Sequence, residues 1–355
     1  MESVIDRGVT EPCMSVRVDI DEQSQIGAAR RAAVALGQAR HLGPEAVGRL
    51  AIVVTEAATN ILTHARRGFL LLRPLATGNA AGVELLALDK GAGIPDVERA
   101  MRDGYSTSGT AGQGLGGIRR LADVFAIHSE RGMGTALLAR ISDRVARPLG
   151  MRALLDTDDD FGVVCVPLRG EAECGDSWRV LLARQRISVL VVDGLGHGPE
   201  AATAAAAATA TFGKVGSGTP DTTLVALDAA MRDTRGAALS VVVIDAARQH
   251  AQFSGIGNVD GRVLTNGVTE HLVPQNGIVG HGMPAPRSST VAWSAGARLI
   301  MHSDGILPRW RADAYENQMP LHPALLAGLI YRDFARDRDD ATVLVIRDRS
   351  DQERR

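Results

Sequence analysis

Apolar and polar positions alternate along this chain of 355 residues at two periods, and each change of period marks an element. Residues 15–20 alternate as a half-buried strand does, and residues 26–42 then carry an alanine-rich helical pattern. A second helix is predicted over residues 44–66, with Pro44 in its first turn. Strand-like runs follow at 68–75 and 83–88, and a glycine cluster opens a short helix at 117–122. The strongest pattern lies at 189–212, VLVVDGLGHGPEAATAAAAATATF, which reads as an apolar strand, a tight turn and an alanine-rich helix starting at Pro199. Gly194, Gly196 and Gly198 let that turn bend where a β-carbon would obstruct it. Residues 239–244 and 251–255 read as a hairpin, with strands near 262–264 and 271–273 and a late helix over 323–334.

Chemistry enters at the ends of the predicted strands. Asp193-Gly194 ends one apolar run, Asp304-Gly305 ends another (IMHSDGIL), and Asp339-Asp340 stands just before the last strand (RDDATVLVI). Strand-edge carboxylates followed by backbone that can approach a cation closely suit a hard divalent metal. In the first half, Glu56, Asn60 and His64 recur every fourth residue and so share one helical face, either a solvated stripe or a site.

Composition narrows the classes. The length suits two domains, each with its own core, and a net charge of -2 implies no general affinity for nucleic acid or an anionic membrane. Aromatics make up only 3%, so the cores must be aliphatic. The first residues, MESVIDRGVTEPC, form no apolar signal segment, and no run reaches membrane-spanning length free of charges and turn residues, so a cytoplasmic protein is expected. Cys13, Cys165 and Cys174 have no metal-type spacing and read as free thiols.

Gly175-Asp176-Ser177-Trp178, Asp193-Gly194-Leu195-Gly196-His197-Gly198, Ser303-Asp304-Gly305 and Asp339-Asp340-Ala341-Thr342, in this order, resemble the motifs of the SpoIIE-type branch of metal-dependent serine/threonine phosphatases. The resemblance covers residues 151–347 and implies a PPM-type α-β-β-α sandwich binding two Mn²⁺ or Mg²⁺ ions. It makes Asp193 the bridging ligand, helped by the Gly194 carbonyl. Asp304 and Asp339 would complete one metal site, and Asp176 would serve the second through water. His197 would either protonate the leaving serine or order the turn, and Asp340 would support the ligands. Arg179 stands where many members have an acid, which weakens a full second site. The stretch GIVGH at 277–281 fits the RsbX-like subgroup, whose targets are phosphorylated STAS proteins of the stressosome.

In the first half, the stripe on the second helix, then Asp89-Lys90-Gly91-Ala92-Gly93-Ile94, Gly112-Gln113-Gly114-Leu115-Gly116 and Gly134-Thr135 resemble the GHKL superfamily over residues 15–141. That resemblance implies a Bergerat-type α/β sandwich that binds ATP with Mg²⁺. Asn60 would hold the magnesium, Glu56 would be the general base, and Asp89 would accept the adenine amine. Gly91 and Gly93 would admit the base, Gly112, Gly114, Leu115 and Gly116 would form the lid, and Thr135 would support the adenine side. No phosphoacceptor hairpin precedes residue 44, and the run at 103–110 looks most like the RsbT-type switch kinases. Members of that group phosphorylate STAS-domain proteins, and some bind and activate a separate phosphatase.

The expected arrangement is therefore an α+β two-domain protein: residues 1–142 an ATP-binding switch kinase-like domain, 143–150 a linker, and 151–348 the phosphatase. The expected function is bifunctional, phosphorylating and dephosphorylating STAS-domain partners of the stressosome or anti-anti-sigma type. A second phosphatase or a sigma-factor regulator is a further candidate partner. The alternative makes the N-terminal domain a nucleotide-dependent binding module and the phosphatase the sole enzyme.

Overall fold

The computed structural model describes residues 8–9, 12–77, 80–101, 114–143, 160–183, 185–265, 267–311 and 321–348. It divides into two compact units, Ser15–Arg152 on one side and Met1–Met14 with Ala153–Arg355 on the other. The first described strand, β1 (Gly8–Val9), pairs with a strand of the second unit, Gly8 opposite Leu182 and Val9 opposite Leu181. Nothing in the sequence pattern signalled that pairing.

The N-terminal unit follows the order β2 (Val16–Ile20), α1 (Gln23–Ala39), α2 (Pro44–Asn60), β3 (Gly68–Thr77), β4 (Ala80–Asp89), α3 (Val97–Ala100), α4 (Gly114–Leu121), β5 (Val124–Glu130) and β6 (Gly134–Ser142). Its antiparallel sheet has the order β2-β3-β4-β6-β5. Glu22 and Gln25 close a capping box over the start of α1. Leu50, Val53, Val54 and Ala57 recur at helical spacing along α2 and pack with Leu70, Leu72, Val83, Leu85 and Ala139 of the sheet. Across three neighbouring strands, buried Glu84 takes Arg73 at 2.9 Å and Arg140 at 2.8 Å. Burial alone would push its carboxyl up, but the two guanidinium groups hold it down at about 2.

One expectation changes in this unit. Regular α-helix stops at Asn60, and Ile61–Ala65 form a π-helical turn that ends on Arg66 at φ 67. His64 thus lies in a wider coil than the helix that carries Glu56 and Asn60, and it is exposed. The helical stretch Pro44–Ala65, at 22 residues, is long and apolar enough by length and composition to cross a membrane, although it carries Glu45, Arg49 and Glu56. Its apolar face is taken up by the core just described.

The C-terminal unit contains β7 (Phe161–Val166), β8 (Asp176–Leu182), β9 (Arg186–Gly194), α5 (Pro199–Val215), α6 (Pro220–Ala230), β10 (Ala237–Asp245), β11 (His250–Ile256), β12 (Asp260–Thr265), β13 (Val268–Leu272), β14 (Ser289–Ala292), β15 (Arg298–His302), α7 (Pro323–Phe334) and β16 (Ala341–Arg347). One sheet runs β1-β8-β9-β10-β11-β14 and the other β13-β12-β15-β16-β7. Trp178, Val191, Phe253, Val263, Leu299 and Leu344 are among the side chains that fill the space between them. On the outer side of the first sheet, Ala204, Ala205 and Ala208 of α5 pack with Leu190 and Val192. Small side chains let that helix lie close to the strands. Helix α7 lies against β7 and β16, which completes the α-β-β-α order.

Candidate active sites in the two units

Strand pairing assembles the acidic site. Asp176 opens β8 directly opposite Asp193 near the end of β9. Asp304 follows β15 and Asp339 precedes β16, and these two strands are neighbours in the other sheet, with His302 opposite Val343. The Asp193 carboxylate accepts a hydrogen bond from the Asp304 backbone, while the carboxyl groups of Asp304 and Asp339 lie within hydrogen-bond reach of each other. Gly194 closes the junction, its N–H donating to the Gly175 carbonyl at 3.0 Å. A β-carbon at Gly194 would stand 2.4 Å from the Ala201 carbonyl oxygen, so only glycine fits there.

The electrostatics follow from that crowding. Burial first, then Asp304, Asp339 and Asp340, push the Asp193 carboxyl up to about 7. Asp176 is raised well above the usual carboxylate range by burial and then by Asp193, and Asp339 is raised by burial and then by Asp304. Among the described residues, the largest charge effects on these three come from other acidic groups and, for Asp176, from Cys165. A set of oxygen donors that repel one another fits a hard divalent cation. Among the described residues, no three His, Cys, Asp or Glu side chains stand in ligating geometry around a single point. The fit therefore rests on charge and donor chemistry. Asp193, Asp304 and Asp339, with Asp176 beyond them, are the residues that would hold Mn²⁺ or Mg²⁺, which supplies charge neutralisation and an activated water.

Several supports surround these carboxylates, and of these the sequence assigned a supporting role to Asp340 alone. Ser303 donates its hydroxyl to Asp176 Oδ2 and accepts the Thr342 N–H at 3.0 Å. Asn258 Nδ2 donates to Asp304 Oδ2 at 2.8 Å. Buried Asp340 takes the N–H groups of Leu168 at 2.7 Å and Gly175 at 2.9 Å, thereby tying the loop before Asp176 to the last strand. Arg179 lies on the opposite face of β8 from Asp176 and donates to the Thr209 carbonyl of α5 at 2.9 Å. A side chain at position 179 thus faces the helix, away from the carboxylates. Cys165 and Cys174 place their sulfurs 3.7 Å apart as thiols. At the rim, His197 Nδ1 lies 2.8 Å from Glu171 Oε1.

In the N-terminal unit, the Asn60 side-chain nitrogen is buried without a hydrogen-bond partner. A β-carbon on Gly114, where α4 starts, would stand 3.3 Å from Asn60 Oδ1, so this amide lies against the lid helix. An orphaned buried N–H₂ beside a helix N-terminus fits a phosphate oxygen, which leaves the amide carbonyl for magnesium. Glu56 stands one turn earlier on α2. Asp89 Oδ1 accepts from Gly91 N–H at 2.8 Å and from Thr135 N–H at 3.2 Å. The Thr135 hydroxyl meets Ser129 Oγ at 2.9 Å, and Ser129 in turn accepts the Ile94 N–H at 2.8 Å. Chain packing already accounts for Gly93: at φ 71, a β-carbon there would stand 1.9 Å from the Glu130 carbonyl oxygen. Gly116 is buried and Leu115 packs against the core, whereas Gly112 and the run at 103–110 fall outside the described residues.

Comparison with known proteins agrees with both halves. Residues 21–147 match the histidine kinase-like ATPase domain family, and residues 183–349 match the family of stage II sporulation protein E. Over 91 residues the chain is 40% identical to the serine/threonine-protein kinase RsbT of Bacillus subtilis (strain 168), covering 26% of this chain and 68% of that protein. Over 138 residues it is 25% identical to the phosphoserine phosphatase RsbX of the same organism, covering 39% of this chain and 69% of that one. A solved structure concerning the bacterial stressosome, a modular system adapted to control secondary messenger signalling, is 28% identical with a TM-score of 0.50. It covers 52% of this chain and 97% of that chain. The chain thus belongs to the RsbT-like histidine kinase-like ATPase family through its N-terminal unit, and its C-terminal unit is similar to SpoIIE-type phosphatases.

Proposed function

We propose that this protein is a bifunctional switch enzyme of the cytoplasm, phosphorylating and dephosphorylating serine or threonine on STAS-domain proteins. The observation that carries the phosphatase half is the crowding of Asp176, Asp193, Asp304 and Asp339, whose mutual repulsion calls for divalent cations. The chain's own contribution is to place those carboxylates on two facing sheets, hold Asp176 through Ser303, and fix the neighbouring loop through Asp340. On the kinase side, the unpartnered Asn60 amide supports binding of ATP with Mg²⁺, and Glu56 stands ready to orient or deprotonate the attacking hydroxyl. The likeness to RsbT, RsbX and a stressosome structure supports STAS-domain partners.

Both activities working together would consume ATP without net change, so the reading requires that one be held back while the other runs. The test follows radiolabel from ATP to a STAS-domain protein, using Asp193→Asn so that the product survives. Label that vanishes with Asn60→Ala and is removed by wild-type protein with Mn²⁺ supports both halves. ATP binding without any transfer would reduce the N-terminal unit to a nucleotide-dependent binding module.

A further inference from the structure

We propose that Glu171 is a positioning residue for His197, and that the two form a carboxylate–imidazole dyad protonating the leaving oxygen of an alkyl phosphate. The inference rests on the phosphatase reading above. Glu171 lies in the loop between β7 and β8, and His197 lies in the turn between β9 and α5. Glu171 Oε1 is 2.8 Å from His197 Nδ1. The other carboxylate oxygen lies over the turn itself, because a β-carbon on Gly198 would stand 3.2 Å from Glu171 Oε2. Gly198 has φ 73, so the backbone conformation favours glycine at that point.

The Glu171 main chain is fixed to the acidic site. Its N–H donates to the Leu168 carbonyl at 2.9 Å, and the Leu168 N–H donates to Asp340 Oδ1 at 2.7 Å. Asp340 Oδ2 meanwhile holds Gly175, the residue before Asp176. One carboxylate therefore sets the register of the dyad and of the metal-facing loop together. On the other side of the turn, a β-carbon on Gly196 would stand 3.3 Å from Arg235 Nη1, and Arg235 pairs with Glu200. His197 is 57% exposed, and an ion pair in that setting adds little to folding stability, so stability is a poor reason for the arrangement.

With Nδ1 engaged by Glu171, Nε2 is the ring nitrogen left to act in the proposed step. In the proposed step a water oxygen attacks phosphorus and the P–O bond to serine breaks. The Nε2 proton of the imidazolium passes to the serine oxygen, and the attacking water gives one proton to solvent. Neutral imidazole keeps its Nδ1–H on Glu171 and regains the Nε2 proton from solvent. Serine and inorganic phosphate leave, and the carboxylate has stabilised the cation throughout.

Leaving-group dependence tests this. p-Nitrophenolate departs without a proton, whereas serine alkoxide needs one. With full-length protein and Mn²⁺, Glu171→Gln should lower kcat on a phosphoserine peptide by about 10- to 100-fold, and on p-nitrophenyl phosphate by less than about threefold. His197→Gln should show the same selectivity, and the double variant should be no worse than His197→Gln alone, as expected of residues that act as a unit. Equal losses on both substrates, or an unchanged rate on the peptide, would overturn the dyad. If wild-type protein hydrolyses neither substrate, the phosphatase reading fails and the dyad fails with it.

Discussion

Replacing Asp193 with Asn should stabilise the metal-free protein, although it removes the central ligand. The Asp193 carboxyl sits at about 7 in the folded chain against 3.8 when unperturbed, a rise of roughly three units. At about 1.4 kcal/mol per unit, ionising it in the fold costs about 4 kcal/mol. The cost is shared with Asp304 and Asp339, so the single substitution should return about 2 to 4 kcal/mol. The sign is that of a raised acid: its contribution is intact below pH 3.8 and is lost as pH climbs through 7. Wild type and variant should therefore unfold alike near pH 4 in chelator, and diverge by pH 8 with the variant the more stable. Mn²⁺ at a hundredfold excess over Kd should close most of that gap, adding about 2.7 kcal/mol to wild type and little to the variant. The three tryptophans, Trp178, Trp293 and Trp310, are buried and all belong to the C-terminal unit, so urea unfolding followed by tryptophan fluorescence reads that unit alone in the full-length chain. A variant no more stable than wild type at pH 8 in chelator would refute the crowding argument.

Two further outcomes are expected. Ser303→Ala takes a donor from Asp176 and an acceptor from Thr342, and should weaken activation by Mn²⁺ about 10- to 100-fold in a metal titration of p-nitrophenyl phosphate hydrolysis. Glu84→Gln leaves two guanidinium groups buried without their carboxylate, and should destabilise the N-terminal unit by about 3 to 5 kcal/mol. Calorimetry should show that transition falling while the tryptophan signal is unchanged.

Asp193 and Asp304 were legible because each sits where a strand ends, a place that sequence marks twice, by loss of apolar alternation and by Asp-Gly. Helix α7 runs over Pro323–Phe334 as its periodicity and leading proline predict. What sequence withheld was partnership. Ser303 and Asp176 are 127 positions apart, and Asp340 and Gly175 are 165 apart, distances over which local pattern carries no information. Glu171 is an unremarked acid in a loop with Glu173, and only the folded turn shows which of them meets His197. The π-helical turn after Asn60 was hidden for another reason: ILTHA reads as ordinary helix, and the change of winding is visible only in the backbone. Position 179 illustrates the alternation of a strand, since a neighbour close in sequence to Asp176 ends on the opposite face.

The pairing of β1 with β8 bears on how this protein can be taken apart. By chain connectivity the ATPase unit is an insertion within the phosphatase unit, which resumes after it. A fragment begun at residue 151, the natural choice from the motifs, would leave the outer backbone groups of Leu181 and Leu182 without their partner strand. It would also remove the Cys13 carbonyl that accepts Trp178 Nε1–H at 3.1 Å. A bare sheet edge invites strand addition from other molecules. Fragments meant to isolate the phosphatase therefore need residues 8–14 restored to keep that edge covered.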